Sequence, residues 1–332
     1  MQVFTDTNFQ FISKRKIAYI VSLTLIGLGI LSLLIHLGPN FSIDFEGGTL
    51  LDLRIYHSSE TKVSVGEIRD ALARIDMANA EIQIAEPEQR KSLPEGDKYD
   101  TYTNMMIKVK GHQKPDAEKD PLAEKIKDTI RQQYTNANLE VLRQEEVGPK
   151  IGEELKWKAL LAIFWAMVGI ILYIWWRFEF KFGIAAIIAL FHDVLITVGI
   201  FSILNLEISL AIVAALLTIV GYSLNDTIVV FDRIRENLRL LRRQSYSDII
   251  NASINQSLSR TVITSATTLL VVLALLILGG GVIRPFAFAL LIGVLVGTYS
   301  SIFVASPILV EWQLYKEAKE KQSRRARRKG RR

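Results

Sequence analysis

The sequence predicts a polytopic α-helical membrane protein of six transmembrane helices, with one α+β extracytoplasmic domain inserted between the first and the second. Three observations carry that class. The 332 residues are 50% hydrophobic with a mean hydropathy of +0.25, yet 22% are charged. This is too apolar for an ordinary soluble domain and too charged for a chain made only of spans, so a bundle carrying one soluble domain fits both figures. Six apolar runs each approach the roughly 20 residues that a bilayer crossing needs, whereas the polar stretch from Asn40 to Leu155 contains none. The chain has no cysteine, which excludes disulfides, thiolate metal sites and cysteine nucleophiles and leaves the inserted domain to its own core.

The first run, 17–38, follows Lys14, Arg15 and Lys16. It is long for the core of a signal peptide and ends in His36, Gly38, Pro39 and Asn40 without a small-x-small site, so it predicts an uncleaved span with residues 1–16 in the cytoplasm. The soluble domain is expected over 39–156. Alternating apolar residues predict strands at 49–56, 80–85, 102–110 and 139–147. Helical periodicity marks 65–75 and 122–134, with a loop rich in Pro, Gly and charge at 86–100 and a polar connection holding Pro115 and Pro121. The order β-α-β-β-α-β is that of a ferredoxin-like domain, in which Ile68, Leu72 and Ile75 share one helix face and cover the sheet.

Gly148 and Pro149 end the last strand, and 150–157 reads as a short amphipathic approach to the membrane. The segment 157–311 holds five further spans, near 158–175, 182–204, 207–231, 261–283 and 285–310. With the N-terminus inside, Arg177, Lys181, the segment 232–260 and the basic tail 312–332 all lie in the cytoplasm, as the positive-inside rule requires. Within 232–260, Arg233, Arg235, Arg239, Arg242 and Arg243 are interleaved with leucines and isoleucine, which suits a helix against anionic lipid. Tyr246, Ile250, Ile254 and Leu258 then repeat every fourth residue behind Ser245 or Ser247 as N-cap, which reads as an elbow helix before the next span. The end of the tail, Arg324 to Arg332, reads as a disordered basic run.

Three charged positions stand inside spans. Asp226 is flanked by apolar residues on both sides, and an intramembrane carboxylate costs about 2.5–3.5 kcal/mol on insertion scales, which makes it a functional candidate; the plainer reading is a helix cap near the interface. Arg260 opens the fifth span at a depth comparable to Asp226, so the two are expected to pair when the acid is ionised and separate when it is protonated, because only the carboxylate titrates. A static ion pair is the plainer alternative. Asp193, with His192 beside it, lies in the middle of the third span; adjacent helix residues point about 100° apart, so the two need not touch, and either could instead pair with Ser, Thr or Tyr on an adjoining helix. Gly293 and Gly297 form a small-xxx-small pattern that favours close packing over chemistry. No metal-ligand spacing, P-loop or nucleophile elbow is present, so neither metal, cofactor nor ATP hydrolysis is expected.

Phe41-Ser-Ile-Asp44-Phe-Glu46-Gly47-Gly48-Thr49, Val147-Gly148-Pro149-Lys-Ile-Gly152, and Gly221-Tyr-Ser-Leu-Asn225-Asp226-Thr-Ile-Val-Val-Phe-Asp232-Arg233-Ile-Arg-Glu-Asn237 together resemble the SecD/SecF family of bacterial protein-export subunits, within the resistance-nodulation-division superfamily. The last motif sides with its SecF branch. The likeness covers essentially the whole chain. It implies an inner-membrane, non-enzymatic subunit that with SecD uses the proton gradient to promote export through SecYEG. It implies YajC and YidC as further partners, unfolded polypeptide as cargo, and no nucleic acid. The family's proton-relay residues map onto Asp226 and Arg260, with Asp193 in the same polar interior. Half of a proton-driven small-molecule or lipid exporter, or a non-conducting assembly scaffold, are the competing readings. Read without the family, Gly47 and Gly48 make a tight turn into the first strand.

Overall fold

A computed structural model describes residues 7–58, 63–78, 80–90, 101–111, 122–281 and 283–329, with side chains described except at 85–90 and 325–329. In chain order, a 3-10 turn (Ile12–Lys14) leads into α1 (Arg15–Ile35), α2 (Ile43–Glu46), β1 (Gly48–His57), α3 (Val65–Ala73), β2 (Glu81–Arg90) and β3 (Thr101–Lys110). Then follow α4 (Leu122–Gln133), β4 (Asn138–Val147), α5 (Pro149–Arg177), α6 (Phe180–Ile203), α7 (Leu210–Leu240), α8 (Tyr246–Leu278), α9 (Ile283–Ser300), a π-helical turn (Ser301–Ala305) and α10 (Ser306–Lys329). Two compact units result, one over Phe41–Leu161 and one formed by residues up to Asn40 with those from Ala162 onward. Among the described residues six helices are long and apolar enough to cross a membrane.

In the smaller unit, four antiparallel strands lie in the order β2-β3-β1-β4, the arrangement that the alternating segments predict. Period-two alternation turns Leu51, Leu53 and Ile55 of β1 and Met105, Ile107 and Val109 of β3 to one face. There they pack with Ile68 and Leu72 of α3 and Ile126 and Ile130 of α4, all almost wholly buried. Each fully buried aliphatic side chain contributes about 1.5–3 kcal/mol, and this core does what disulfides do elsewhere. Tyr134, just past α4, donates to Glu67 Oε2 at 2.7 Å and accepts from Ser64 N at 3.2 Å, tying the end of α4 to the start of α3. Burial first, then the Glu67 carboxylate, push its hydroxyl up to about 12, so it is a donor at any physiological pH.

The glycine motifs meet at the base of this unit. Gly47 closes α2 at φ +76° and Gly48 opens β1 at φ +145°, conformations that glycine alone adopts freely. A Cβ on Gly48 would stand 2.2 Å from Val109 O, one on Gly47 2.8 Å from Pro149 Cα, and one on Gly152 3.0 Å from Gly47 N and the Phe45 carbonyl. The turn therefore also lets the chain leaving the domain pack against the chain entering it. Ser42 caps α2 by accepting from Asp44 N at 3.2 Å, a short helix that periodicity did not signal.

Several expected boundaries move. Strand β2 continues to Arg90 rather than yielding to a loop at 86; it is an edge strand whose register shifts between Ile84 and Gln89, and such an edge tolerates Pro87. The rest of that loop, 91–100, and the connection with Pro115 and Pro121 lie outside the described residues. The second span has no separate amphipathic approach: α5 starts at Pro149, where the missing amide costs no helical bond. The segment expected as an elbow helix from Tyr246 is helical and capped by Ser245, but it is the first part of α8 and not a separate element. Helix α7 runs on to Leu240, supported by Arg233–Glu236 and Asp232–Arg235 contacts of 2.6 and 3.8 Å, and α8 starts at Tyr246 where Ser245 accepts from Asp248 N. The tail is helical to Lys329 within α10, so 324–329 is not the disordered run expected there, and 330–332 lie outside the described residues.

Candidate functional site

The larger unit buries two carboxylates, and their surroundings differ. Asp193 has no exposed surface. Its Oδ1 lies 2.8 Å from His192 Nδ1, and its Oδ2 accepts from Ser300 Oγ at 2.8 Å and from Ser223 Oγ. The neighbours that helix geometry left free not to touch therefore do touch. His192 Nε2 in turn stands 2.9 Å from Ser22 Oγ, which is 3.1 Å from the Tyr299 hydroxyl, and Tyr299 donates to Ala18 O at 2.9 Å. One acid on α6 thus gathers α1, α7 and α9.

Close backbone approach makes this possible. A Cβ on Gly29 would stand 2.7 Å from Gly199 Cα, so α1 and α6 cross at paired glycines. On α9, a Cβ on Gly293 would stand 2.2 Å from Ile219, and one on Gly297 3.1 Å from Ser223 Cβ. The small-xxx-small pattern is the contact of α9 with α7, and it seats Ser223 beside Asp193. The π-helical turn begins immediately after Ser300, with Ser306 donating to Ser301 O at 2.8 Å. Such widened turns arise mostly inside α-helices and often at functional sites.

Asp226, 2% exposed, is held far more loosely. Ser265 Oγ approaches Asp226 Oδ2 at 3.5 Å, the outer limit of a hydrogen bond. Ser265 also shares a 2.7 Å hydrogen bond with Thr298 and receives one from the Tyr222 hydroxyl at 3.3 Å. The expected pairing with Arg260 is not formed: no ion pair joins them, and Arg260 is on the exposed side of α8. Equal depth set their height but not their direction. Arg260 and Ser265 are five residues apart, about 140° around the helix, and it is the Ser265 side that meets Asp226.

The remaining motif residues lie outside these pockets. Asn225 is exposed. Asp232 accepts from Arg177 at 2.9 Å across two half-exposed side chains, and Arg233 donates to Glu236 and to Gln256, both at 2.6 Å; exposed pairs of this kind contribute about 0–1 kcal/mol. Asp44, Glu46, Gly47, Gly48, Gly148 and Pro149 belong to the smaller unit. Among the described residues no group of three or more His, Asp or Glu could hold a metal ion. Ser22, Ser223 and Tyr299 were not singled out from the sequence, since isolated hydroxyls are common in spans; Ser300 carried a signal only as one of the hydroxyls that follow the Gly293 and Gly297 pattern.

Comparison with known proteins matches residues 126–315 to the C-terminal region of SecD/SecF protein export membrane proteins and residues 32–55 to the SecD/SecF GG motif. The protein translocase subunit SecF of Magnetococcus marinus is 45% identical over 311 residues, 93% of this chain and 94% of that one. The corresponding subunit of Rhodothermus marinus is 41% identical over 94% of this chain and 95% of its own. The crystal structure of SecDF from Thermus thermophilus, described as a translocon-associated membrane protein, superposes with a TM-score of 0.75 at 40% identity, over 93% of this chain and 39% of that longer one.

Proposed function

From the premise that this chain belongs to the SecD/SecF family of protein export membrane proteins, we propose that its buried carboxylates couple a proton gradient to protein export. It is a multi-pass membrane protein and a translocase subunit accessory to Sec-dependent export, with no enzymatic activity of its own. The partner is SecD: 95% of this chain aligns with only 40% of the fused SecDF of Thermus thermophilus, so the rest of that chain supplies the companion half. Both termini and the basic segments around Arg239, Arg242 and Arg243 lie at the cytoplasmic, anionic face, and the domain of Phe41–Leu161 lies on the opposite side. Cargo is unfolded polypeptide emerging from SecYEG, with YajC and YidC as further neighbours.

The observation that carries the coupling is the contrast between the two acids. Asp226 has one long hydrogen bond and no ion-pair contact, so its proton can come and go without dismantling a network. Asp193 is the fixed member of the polar interior, and Arg260 supplies positive charge nearby without a contact. A proton moving down a membrane potential yields about 2.3 kcal/mol per 100 mV, whereas moving a two-state equilibrium from 1:99 to 99:1 takes about 5.5 kcal/mol. One proton biases such a switch and two drive it.

The test is export of a secreted reporter into sealed membrane vesicles containing SecD, under an imposed proton gradient, with assembly of the complex verified. Asp226→Asn is expected to abolish the gradient-dependent part of export and leave the ATP-dependent part. Unchanged gradient dependence would refute the coupling role and leave a scaffold.

A further inference from the structure

Helix α8 carries a hydroxyl at every fourth position, Ser253, Ser257, Thr261 and Ser265, and all four are buried to 6% exposure or less. Residues four apart share one helix face, and this face is turned to α7. At one end Ser265 approaches Asp226. At the other, Asn237 of α7 donates to Ser253 Oγ at 2.9 Å and to Gln256 Oε1 at 2.7 Å, and Gln256 accepts from the half-exposed Arg233 at 2.6 Å. The row therefore spans about 18 Å of helix, from the loosely held acid to the end of the bundle assigned above to the cytoplasm.

Spacing alone would make this a packing stripe. The second observation is Thr261, whose hydroxyl is 1% exposed and has no hydrogen-bond partner among the described residues. Ser253 and Ser257 donate to backbone carbonyls one turn back, at 2.7 and 2.9 Å, so Ser257 keeps both lone pairs to accept, and Ser253, which already accepts from Asn237, keeps one. A buried hydroxyl with no protein partner is where an ordered water is found. Side chains at i and i+4 stand about 5–6 Å apart, the span of two hydrogen bonds of about 2.8 Å sharing one water.

We propose that the Ser265, Thr261, Ser257 and Ser253 row of α8 holds a chain of water molecules that is the cytoplasmic half of the proton path. The inference rests on the proton-coupling reading of Asp226. The proton leaves the protonated Asp226 carboxyl, which remains as carboxylate, passes from water to water along the row, and is released to solvent beside Asn237 and Gln256. Thr261 positions water and does not itself ionise.

Proton flux through the complex with SecD in sealed vesicles, followed by a trapped pH-sensitive dye under an imposed gradient, tests this. Thr261→Val keeps the shape and removes the hydroxyl. It is expected to lower flux about fivefold, the change that loss of one ordinary hydrogen bond brings to a rate, with Thr261→Ser restoring it. Wild-type flux through Thr261→Val, with flux blocked in Asp226→Asn, would overturn the row and leave the coupling reading standing. Wild-type flux in both would overturn both. Because the chain has no cysteine, Ser257→Cys and Thr261→Cys give an independent reading. A small charged thiol reagent added at the cytoplasmic face is expected to label them and to spare Leu270→Cys, whose position is 68% exposed on the apolar surface. Failure to label either would overturn the water chain.

Discussion

Asp193 and Asp226 are both carboxylates buried among apolar helices, and they are built into the molecule in opposite ways. Asp193 receives hydrogen bonds from three side chains, and through His192 and Ser22 its network reaches a fourth helix. Asp226 has a single long contact, to a serine that is itself engaged with Thr298 and Tyr222. An acid held by three donors from its own and neighbouring helices changes its charge at the expense of those helix contacts. One that is barely held can, and its surroundings lose little when it does. The difference teaches that burial alone does not identify the group that exchanges protons; the number and origin of its donors does.

The largest expected effect that would break this contrast is on stability. Asp193→Ala strands Ser223, Ser300 and His192 in the bundle and is expected to cost about 3–5 kcal/mol, read as loss of thermal stability of the detergent-solubilised complex. Asp226→Asn should leave that stability nearly unchanged. Equal losses would erase the distinction. Gly293→Ala comes next: its Cβ would press into Ile219 at 2.2 Å, and overpacking of this kind costs about 1–3 kcal/mol, enough to separate Ser223 from Asp193 and to lower the same melting temperature. An effect of the same size sharpens the comparison. Ser300→Ala should cost about 1–3 kcal/mol by leaving Asp193 short of a donor, whereas Ser265→Ala should alter gradient-driven export more than stability. The smallest belongs to Arg260. Having no ion pair to lose, Arg260→Gln should change stability by less than about 0.5 kcal/mol, as surface substitutions do, and any loss of export would then act through the field at Asp226.

Much of this architecture was legible because it is written in length and period. The spans declared themselves as apolar runs interrupted by short basic segments, and Leu51, Leu53 and Ile55 declared β1 by strict alternation. What stayed hidden depends on direction around a helix and on tertiary contact. Asp226 and Arg260 share a depth, and depth is readable from rise per residue; the angle of about 140° that turns Arg260 away from the Ser265 face is set by packing. The His192 contact needs a rotamer that only Ser22 and Tyr299 on other helices select. The π-helical turn after Ser300 leaves no mark in composition, yet it adjoins the residue that closes the Asp193 cluster. Pro87 argued for a loop, and pairing to β3 overrode it at a sheet edge. In 324–329 composition argued for disorder, where the chain simply continues the last helix.

The central claim is that Asp226, and not Asp193, is the group that changes protonation. The most direct measurement is the infrared difference spectrum of the reconstituted complex on imposing a proton gradient, in the band of the protonated carboxyl C=O stretch. The account predicts a change that disappears in Asp226→Asn and persists in Asp193→Asn. A signal that survives in Asp226→Asn and is lost in Asp193→Asn would contradict it and place the exchanging proton in the His192–Asp193 network.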